Sequence, residues 1–185
     1  PSGSNTQPWD LTVLGGQALD EVKAYLVKQM PSTPAHPDIP YPPMPEPFRS
    51  RQAAVGKQMN AYLFPPGTER PQEDRTANRF SGAYFFGAPN AILVSVEKEI
   101  SPRAFLGLGM WAQTLCLAAL NHGLGTCIMS MVTYWPEIYR ELFHIPDSKI
   151  IAFGIAIGYP DLEARINNFP RTREPLDTFV NWHGV

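Results

Sequence analysis

Three separated stretches of this chain carry residue types that could hold a flat, polar, phosphate-bearing ligand. Residues 1–9 (PSGSNTQPW) gather Ser2, Ser4, Asn5, Thr6 and Gln7 into one short run closed by a stiff Gln-Pro-Trp. Hydroxyls and amides at that density supply donors and acceptors together. Gly123-Leu124-Gly125-Thr126 leaves a helix, and residues 127–131 then run extended, so backbone N–H groups there could face a planar ring. Arg171-Thr172-Arg173 sets two guanidiniums on one side of an extended chain, a spacing suited to a phosphate. Each stretch has a plainer explanation as well. A Ser/Asn-rich run can be only a turn, GLGT only a helix C-cap, and Arg-x-Arg only a solvated edge. Their occurrence together is what points to a site.

Other patterns fail on context. Residues 107–112 match the G-x-G-x-x-A pattern of dinucleotide folds, which needs its glycines in the turn between a strand and a helix. Here they fall a turn or more inside a helix begun at Pro102, so close helix packing is the expected reason for them. His36, His122, His144 and His183 show no metal-ligand spacing, and neither Cys116 nor Cys127 has a partner at a suitable interval. No serine sits in a nucleophile elbow. No side chain is therefore assigned as catalytic, and the chemistry is expected from a cofactor.

The elements that must position these stretches can be read from periodicity and punctuation. Residues 10–14 form a short strand stopped by Gly15-Gly16, and a helix follows over about residues 17–30, with Leu19, Val22, Leu26 and Val27 on one face. Eight prolines between Pro31 and Pro47 exclude regular helix or central strand there. Their P-x-x-P spacing is compatible with a proline-binding partner. Tyr41, Met44 and Phe48, as apolar anchors, favour an ordered crossing within the fold. A helix over residues 51–63, a polar loop over residues 65–78 and a β-branched strand over residues 91–96 come next. Ser101-Pro102 then offers an N-cap and a Pro at the first helical position for a long helix ending near His122-Gly123. Its apolar residues, Phe105, Leu106, Met110, Trp111, Leu115, Leu117 and Leu120, go most of the way round. Such a helix is expected to be buried on several sides, inside a domain or between subunits. Residues 126–131 read as extended, residues 137–143 as a helix opened by Pro136, and residues 149–158 (KIIAFGIAIG) as a central strand. A tail from Asp161 carries Arg165, Arg171 and Arg173, then Phe179, Val180 and Trp182. The expected class is α+β, one domain over residues 1–185 with extended arms.

Composition sets the bounds. The chain has 185 residues, 44 % of them hydrophobic, enough for a sizeable core. Charged residues make up 17 %, against roughly a quarter in ordinary domains, and aromatic residues 11 %, which suits large buried surfaces including a subunit interface. A net charge of −2 makes no case for nucleic acid or another polyanion. Both cysteines lie in apolar runs and are expected as buried free thiols, which favours a reducing cytoplasm. No apolar run reaches the length of a membrane helix, and no signal peptide is visible.

Three quoted segments resemble one family. PSGSNTQPW is similar to the signature loop of the nitroreductase family, and GMWAQTLCLAALNHGLGTCIMS resembles its central helix and the flavin-edge strand after it. NFPRTREPL resembles its C-terminal arm, and FFGAP before a strand is similar to a subgroup acting on nitroaromatics. The likeness covers most of the chain, residues 31–74 and the extreme C-terminus excepted.

That resemblance implies a nitroreductase-like α+β fold, a central mixed or antiparallel sheet flanked by helices, in an interlocked homodimer with extended arms. Two molecules of flavin mononucleotide (FMN) would lie at its interface. Ser2, Gly3, Ser4 and Asn5, with Gln7 in the same loop, would reach a flavin bound largely by the partner subunit. The N–H groups of Ser130 and Met131, after Met129, would lie beside flavin N5 and O4, and Arg171 and Arg173 would pair with the phosphate. Met129-Ser130-Met131 stands where acidic or Gly-containing versions are common, which keeps the backbone contacts and makes the wall more apolar. NADPH or NADH would reduce the flavin and leave, and a nitroaromatic, quinone or similar electron-poor acceptor would take its place. The group near flavin N1/O2 stays open between Arg75, Arg79 and a segment ahead of Pro1. The family carries an Arg-rich helical segment there, and Pro1 is not a natural start, so a preceding segment is expected. Two alternatives remain. One is an offshoot using the flavin for dehalogenation, flavin breakdown or dehydrogenation, with residues 31–63 as a lid and Arg49 and Arg51 on an anionic substrate. The other is a non-catalytic flavin-binding protein.

Overall fold

Strand β2 (Asn90–Glu97) is the middle of the fold, and its alternation decides what packs where. Successive side chains of a strand point to opposite faces. Ala91 and Leu93 therefore enter one apolar layer while Ile92, Val94 and Val96 enter another. The computed structural model describes residues 1–29, 34–68, 81–82 and 84–184. Around β2 lie β1 (Asp10–Gly15), β3 (Gly125–Met129) and β4 (Lys149–Gly158), in the order β1-β2-β4-β3 with every pairing antiparallel. The first layer is filled by Leu19, Val22 and Leu26 of α1 (Gly16–Gln29), together with Ile138 and Tyr139 of a short helix at Pro136–Phe143. The second receives Leu108 and Ala112 of the long apolar helix at Ala104–Leu120. With α2 at Phe48–Leu63, these two are α3 (Ala104–Leu120) and α4 (Pro136–Phe143).

A bulge reconciles β4 with both layers. Ser95 faces Ile151 while Val94 faces Phe153, so Ala152 is an extra residue. That one residue lets Ile151 fill the first layer and Ile155, four positions on, the second. The face expected for α1 is also adjusted: Leu19, Val22 and Leu26 are buried, but Val27 is 46 % exposed.

Helix α3 starts two residues later than its Ser-Pro signal suggests. Ser101 still shapes the entry, its carbonyl accepting from Ala104 N–H at 2.8 Å and its hydroxyl from Arg103 N–H at 3.4 Å. The exit is a Schellman motif. Gly123 takes a φ of +69°, Leu124 N–H donates to Ala119 O at 3.1 Å, and Gly123 N–H donates to Leu120 O at 3.0 Å. The all-round burial expected of this helix is not found within the chain. Leu108, Ala112 and Ala119 are buried, whereas Leu106, Leu117 and Leu120 are 70 %, 56 % and 64 % exposed. Cys127, expected in the core, lies exposed on edge strand β3, and Cys116 is half-buried; neither forms a disulfide. No helix among the described residues is long and apolar enough to cross a membrane.

The chain divides into two compact units, Pro1–Pro42 with Pro71–Pro160, and Pro43–Arg70 with Asp161–Val185. The first holds the sheet, α1, α3 and α4. Its proline-rich stretch is fastened mainly by polar side chains rather than by apolar anchors. Asp38 Oδ2 accepts from Arg140 Nη2 at 2.7 Å and from Ile151 N–H at 3.0 Å, with both side chains nearly buried. His36 N–H donates to Tyr134 O at 3.0 Å, and its ring meets Glu137 at 2.8 Å. Tyr41, although half exposed, sets its ring edge-on to Tyr134.

The second unit holds α2 and the C-terminal arm. Met44 and Phe48, also expected as anchors, are exposed there, and α2 buries no residue. Arg165 Nη2 donates to Tyr62 O at 2.6 Å, and Tyr62 donates its hydroxyl to Asn168 O at 3.2 Å and packs its ring on Phe169. Arg51 lies between the rings of Phe48 and Phe179, 5.7 and 5.2 Å from their centres, with Glu174 at 3.8 Å.

Candidate functional site

Residues 1–9 do form a loop, and a strained one. It makes a single 3-10 turn at Gly3–Asn5, with Asn5 N–H donating to Ser2 O and Thr6 N–H to Gly3 O. Ser4, Asn5 and Gln7 all take positive φ, at 50°, 54° and 47°. Left-handed backbone at three non-glycine residues out of four is held only where surroundings enforce it, and such strain clusters at ligand sites. Two local bonds enforce it here: Gln7 N–H donates to Ser2 Oγ at 3.0 Å, and Gln7 Nε2 donates to Asn5 O at 3.1 Å. At one end Trp9 stacks on Trp111 of α3, ring centres 5.7 Å apart. At the other Ser2 lies over Gly107, where a Cβ would come within 3.3 Å of the serine Cβ. Gly107 is thus a packing glycine inside α3, not part of a dinucleotide turn. Gly3, Ser4, Asn5, Thr6 and Gln7 are left exposed. Beside Gly3 an open cleft of about 670 Å³ runs along Pro102, Arg103, Leu106, Gly107 and Met110.

The second stretch is placed by glycine as well. Val132 fits over β4 because Gly154 has no side chain; a Cβ there would stand 3.0 Å from Val132 Cγ1. That contact, with Met129 buried beneath, fixes the corner where β3 ends and a 3-10 turn (Met131–Tyr134) begins. Met131 is half-buried against Gly82, and Ser130 is exposed. Neither Ser130 nor Met131 uses its N–H in a bond to another described backbone group beyond the strand ladder. Main-chain donors without a partner among the described backbone groups are what the edge of a polar heteroaromatic ring requires.

Ser130 O is engaged twice. It accepts from Thr133 N–H at 2.9 Å and from the Thr133 hydroxyl at 2.7 Å, and that hydroxyl lies 2.9 Å from Tyr41 Oη. Thr133 is almost wholly buried. Neither Thr133 nor Tyr41 could be picked out from sequence as a part of the site, because they are 92 positions apart.

The third stretch lies in the other unit. Arg171 and Arg173 are exposed, and Arg173 Nη1 donates only to the adjacent Thr172 O at 3.0 Å. No carboxylate pairs with either among the described residues, so both guanidiniums are open to an anion. Arg49 and Arg51, by contrast, are engaged by Glu46 and Glu174. Arg75 and Arg79 lie outside the described residues. No cluster of His, Cys, Asp or Glu among the described residues could hold a metal ion.

Within the sheet-bearing unit, the loop polar groups and the main-chain donors after β3 offer contacts to a polar ligand, and the arm-bearing unit separately carries two guanidiniums that pair with no carboxylate among the described residues. The chain belongs to the nitroreductase family, whose model matches residues 1–159, and it is an oxidoreductase enzyme of that family. It is 30 % identical to a 4-nitrobenzoate reductase of Pseudomonas putida, over 100 % of this chain and 81 % of the relative. Its fold superposes with a TM-score of 0.90 on a variant of the FMN and NADPH-dependent nitroreductase NfnB from Sphigopyxis sp. strain HMH, at 29 % identity, covering 100 % of this chain and 84 % of that one. It also matches the FMN-dependent nitroreductase NfnB of Mycobacterium smegmatis, solved in complex with NADPH. There the TM-score is 0.87 at 27 % identity, with 99 % and 82 % of the chains covered. The α+β class and nitroreductase-like fold expected from sequence are therefore observed.

Proposed function

We propose that the chain is a cytoplasmic, homodimeric, FMN-dependent NAD(P)H oxidoreductase that reduces nitroaromatic or similar electron-poor compounds in a ping-pong cycle. The carrying observation is the pair of N–H donors at Ser130 and Met131, which bond to no described backbone group beyond the strand ladder where β3 passes into a 3-10 turn. FMN, when bound, would supply the two-electron redox chemistry that links a reduced nicotinamide to the acceptor. The residues of this chain do the rest. The Ser130 and Met131 N–H groups would hold the polar edge of the flavin ring, with Met129 behind them. Ser2, Gly3, Ser4, Asn5 and Gln7 donate to or accept from the polar parts of the cofactor. Arg171 and Arg173 neutralise the phosphate. None of these groups transfers a proton, so no single substitution among them abolishes the chemistry outright. The relatives described as FMN- and NADPH-dependent support NADPH as reductant, and the nitrobenzoate reductase supports a nitroaromatic acceptor.

The outer face of α3 supports the dimer. Leu106, Met110, Leu117 and Leu120 form an exposed aliphatic stripe on one helix, the kind of face that a subunit contact covers. Leu117→Glu should convert a dimer to monomer in sedimentation; a wild-type chain that sediments as a monomer would remove this part of the proposal.

For the function itself, the visible spectrum of the purified protein is recorded under anaerobic conditions before and after adding NADPH. Flavin bands that bleach, and return when a nitrobenzoate is added, are the expected result. A protein that takes up no FMN would defeat the reading.

A further inference from the structure

We infer that Thr133, itself held by Tyr41, is a positioning residue that sets the direction and donor strength of the Met131 N–H. The inference rests on the function proposed above. A threonine hydroxyl has one proton. Thr133 directs it at Ser130 O, 2.7 Å away, so its oxygen must accept the proton of Tyr41 Oη at 2.9 Å. The chain of donation thus runs from Tyr41 to Thr133 to Ser130 O. The same carbonyl takes a second bond from Thr133 N–H at 2.9 Å.

Ser130 C=O and Met131 N–H belong to one peptide group. Two bonds to the carbonyl draw charge through that amide and strengthen its N–H as a donor, and they also fix the plane in which it points. The N–H of Ser130 belongs to the preceding peptide, which lies outside this relay. One of the two site donors is therefore tuned and its neighbour is not. Tyr41 sits on the proline-rich stretch, which Asp38 and His36 fasten to the same region. The crossing thereby gains a part in the site through Thr133. Burial makes the relay specific: Thr133 is 1 % exposed, so water does not replace a missing hydroxyl.

The test compares Thr133→Val, Thr133→Ser and Tyr41→Phe with wild type, reading amide proton shifts by NMR in flavin-free protein and FMN affinity by titration. Thr133→Val should move the Met131 amide upfield while leaving that of Ser130 in place, and weaken FMN binding roughly five- to tenfold, the scale of one lost hydrogen bond. Thr133→Ser should restore both values. Tyr41→Phe, a change at a half-exposed ring, should produce the same amide shift in smaller measure. If the Met131 and Ser130 amides move together, or if serine fails to rescue, Thr133 serves only the turn and the inference is overturned. The amide readings need no flavin, so a chain that binds none defeats the proposed function separately from this test.

Discussion

The sheet-bearing unit and the arm-bearing unit are held by different forces. In the first, Leu14, Val22, Leu93, Val94, Tyr139 and Ile151 are completely or almost completely buried. Tyr139 is buried so fully that its hydroxyl makes no hydrogen bond with a described residue, and desolvation pushes its pKa well above the usual phenol range. In the second, α2 buries nothing, and Phe169 is the one buried apolar side chain among the described residues. The arm is instead tied by directed contacts: Arg165 on Tyr62, Asn168 on the Leu162 and Ala164 carbonyls, and Asn167 on the Asp161 carbonyl. Apolar burial is cooperative and non-directional, whereas exposed polar contacts hold geometry at little net gain. The first unit carries the Ser130 and Met131 main-chain donors at the end of β3, and the second carries the exposed guanidiniums of Arg171 and Arg173.

The largest expected effect falls in the body. Leu93→Ala removes a fully buried side chain from the central strand, and cavity-forming changes of this kind cost about 2–5 kcal/mol. Urea denaturation measures it, and a loss under about 1 kcal/mol would mean that burial does not dominate there. Phe169→Ala sharpens the contrast. In a cooperative core the same truncation costs about 3–5 kcal/mol. Here the loss should fall on local opening, with hydrogen exchange faster over residues 48–63 and 161–169 and global stability changed by less than about 1 kcal/mol. A full core-sized loss would show that the arm unfolds together with the sheet, which would break the comparison.

Sequence carried the body well because its signals are local. Alternation marked β2, the run KIIAFGIAIG marked β4, and Gly123 marked the left-handed exit of α3. The polar loop and the strand-end donors were legible for the same reason, as type and spacing within a few residues. What stayed hidden depends on distance along the chain. Asp38 meets Arg140 across 102 positions and Tyr41 meets Thr133 across 92, and neither pair leaves a pattern in a window. The extra residue at Ala152 is invisible in an unbroken apolar run. Helix α3 shows a third limit: composition told that it is apolar nearly all round, but not which side its own chain would leave open.

The smallest expected effect concerns an exposed charge cluster across the strands. Lys149 Nζ lies 2.5 Å from Asp10 Oδ2 and 2.7 Å from Glu97 Oε1, which joins β4 to β1 and β2 at one end of the sheet. The hydrogen bond from Lys149 is the main cause that lowers the Glu97 pKa below its ordinary 4.5, and the bonds Lys149 donates to Asp10 and Glu97 raise its own pKa above 10.5. A depressed carboxyl contributes stability above its unfolded value and loses it as pH falls through the folded value. A raised lysine contributes below its unfolded value and loses it as pH rises through the folded one. The cluster therefore acts between about pH 4.5 and 10.5 and fades on either side. Lys149→Met should lower the urea midpoint slightly at pH 7, and the gap from wild type should narrow toward pH 3 as Glu97 takes up its proton. Since the carboxylates are solvated, the gap should also shrink in high salt. A gap that is the same at pH 3 and pH 7 would assign the effect to the lysine's aliphatic stem packed on the sheet. This end of the body would then be held by burial too.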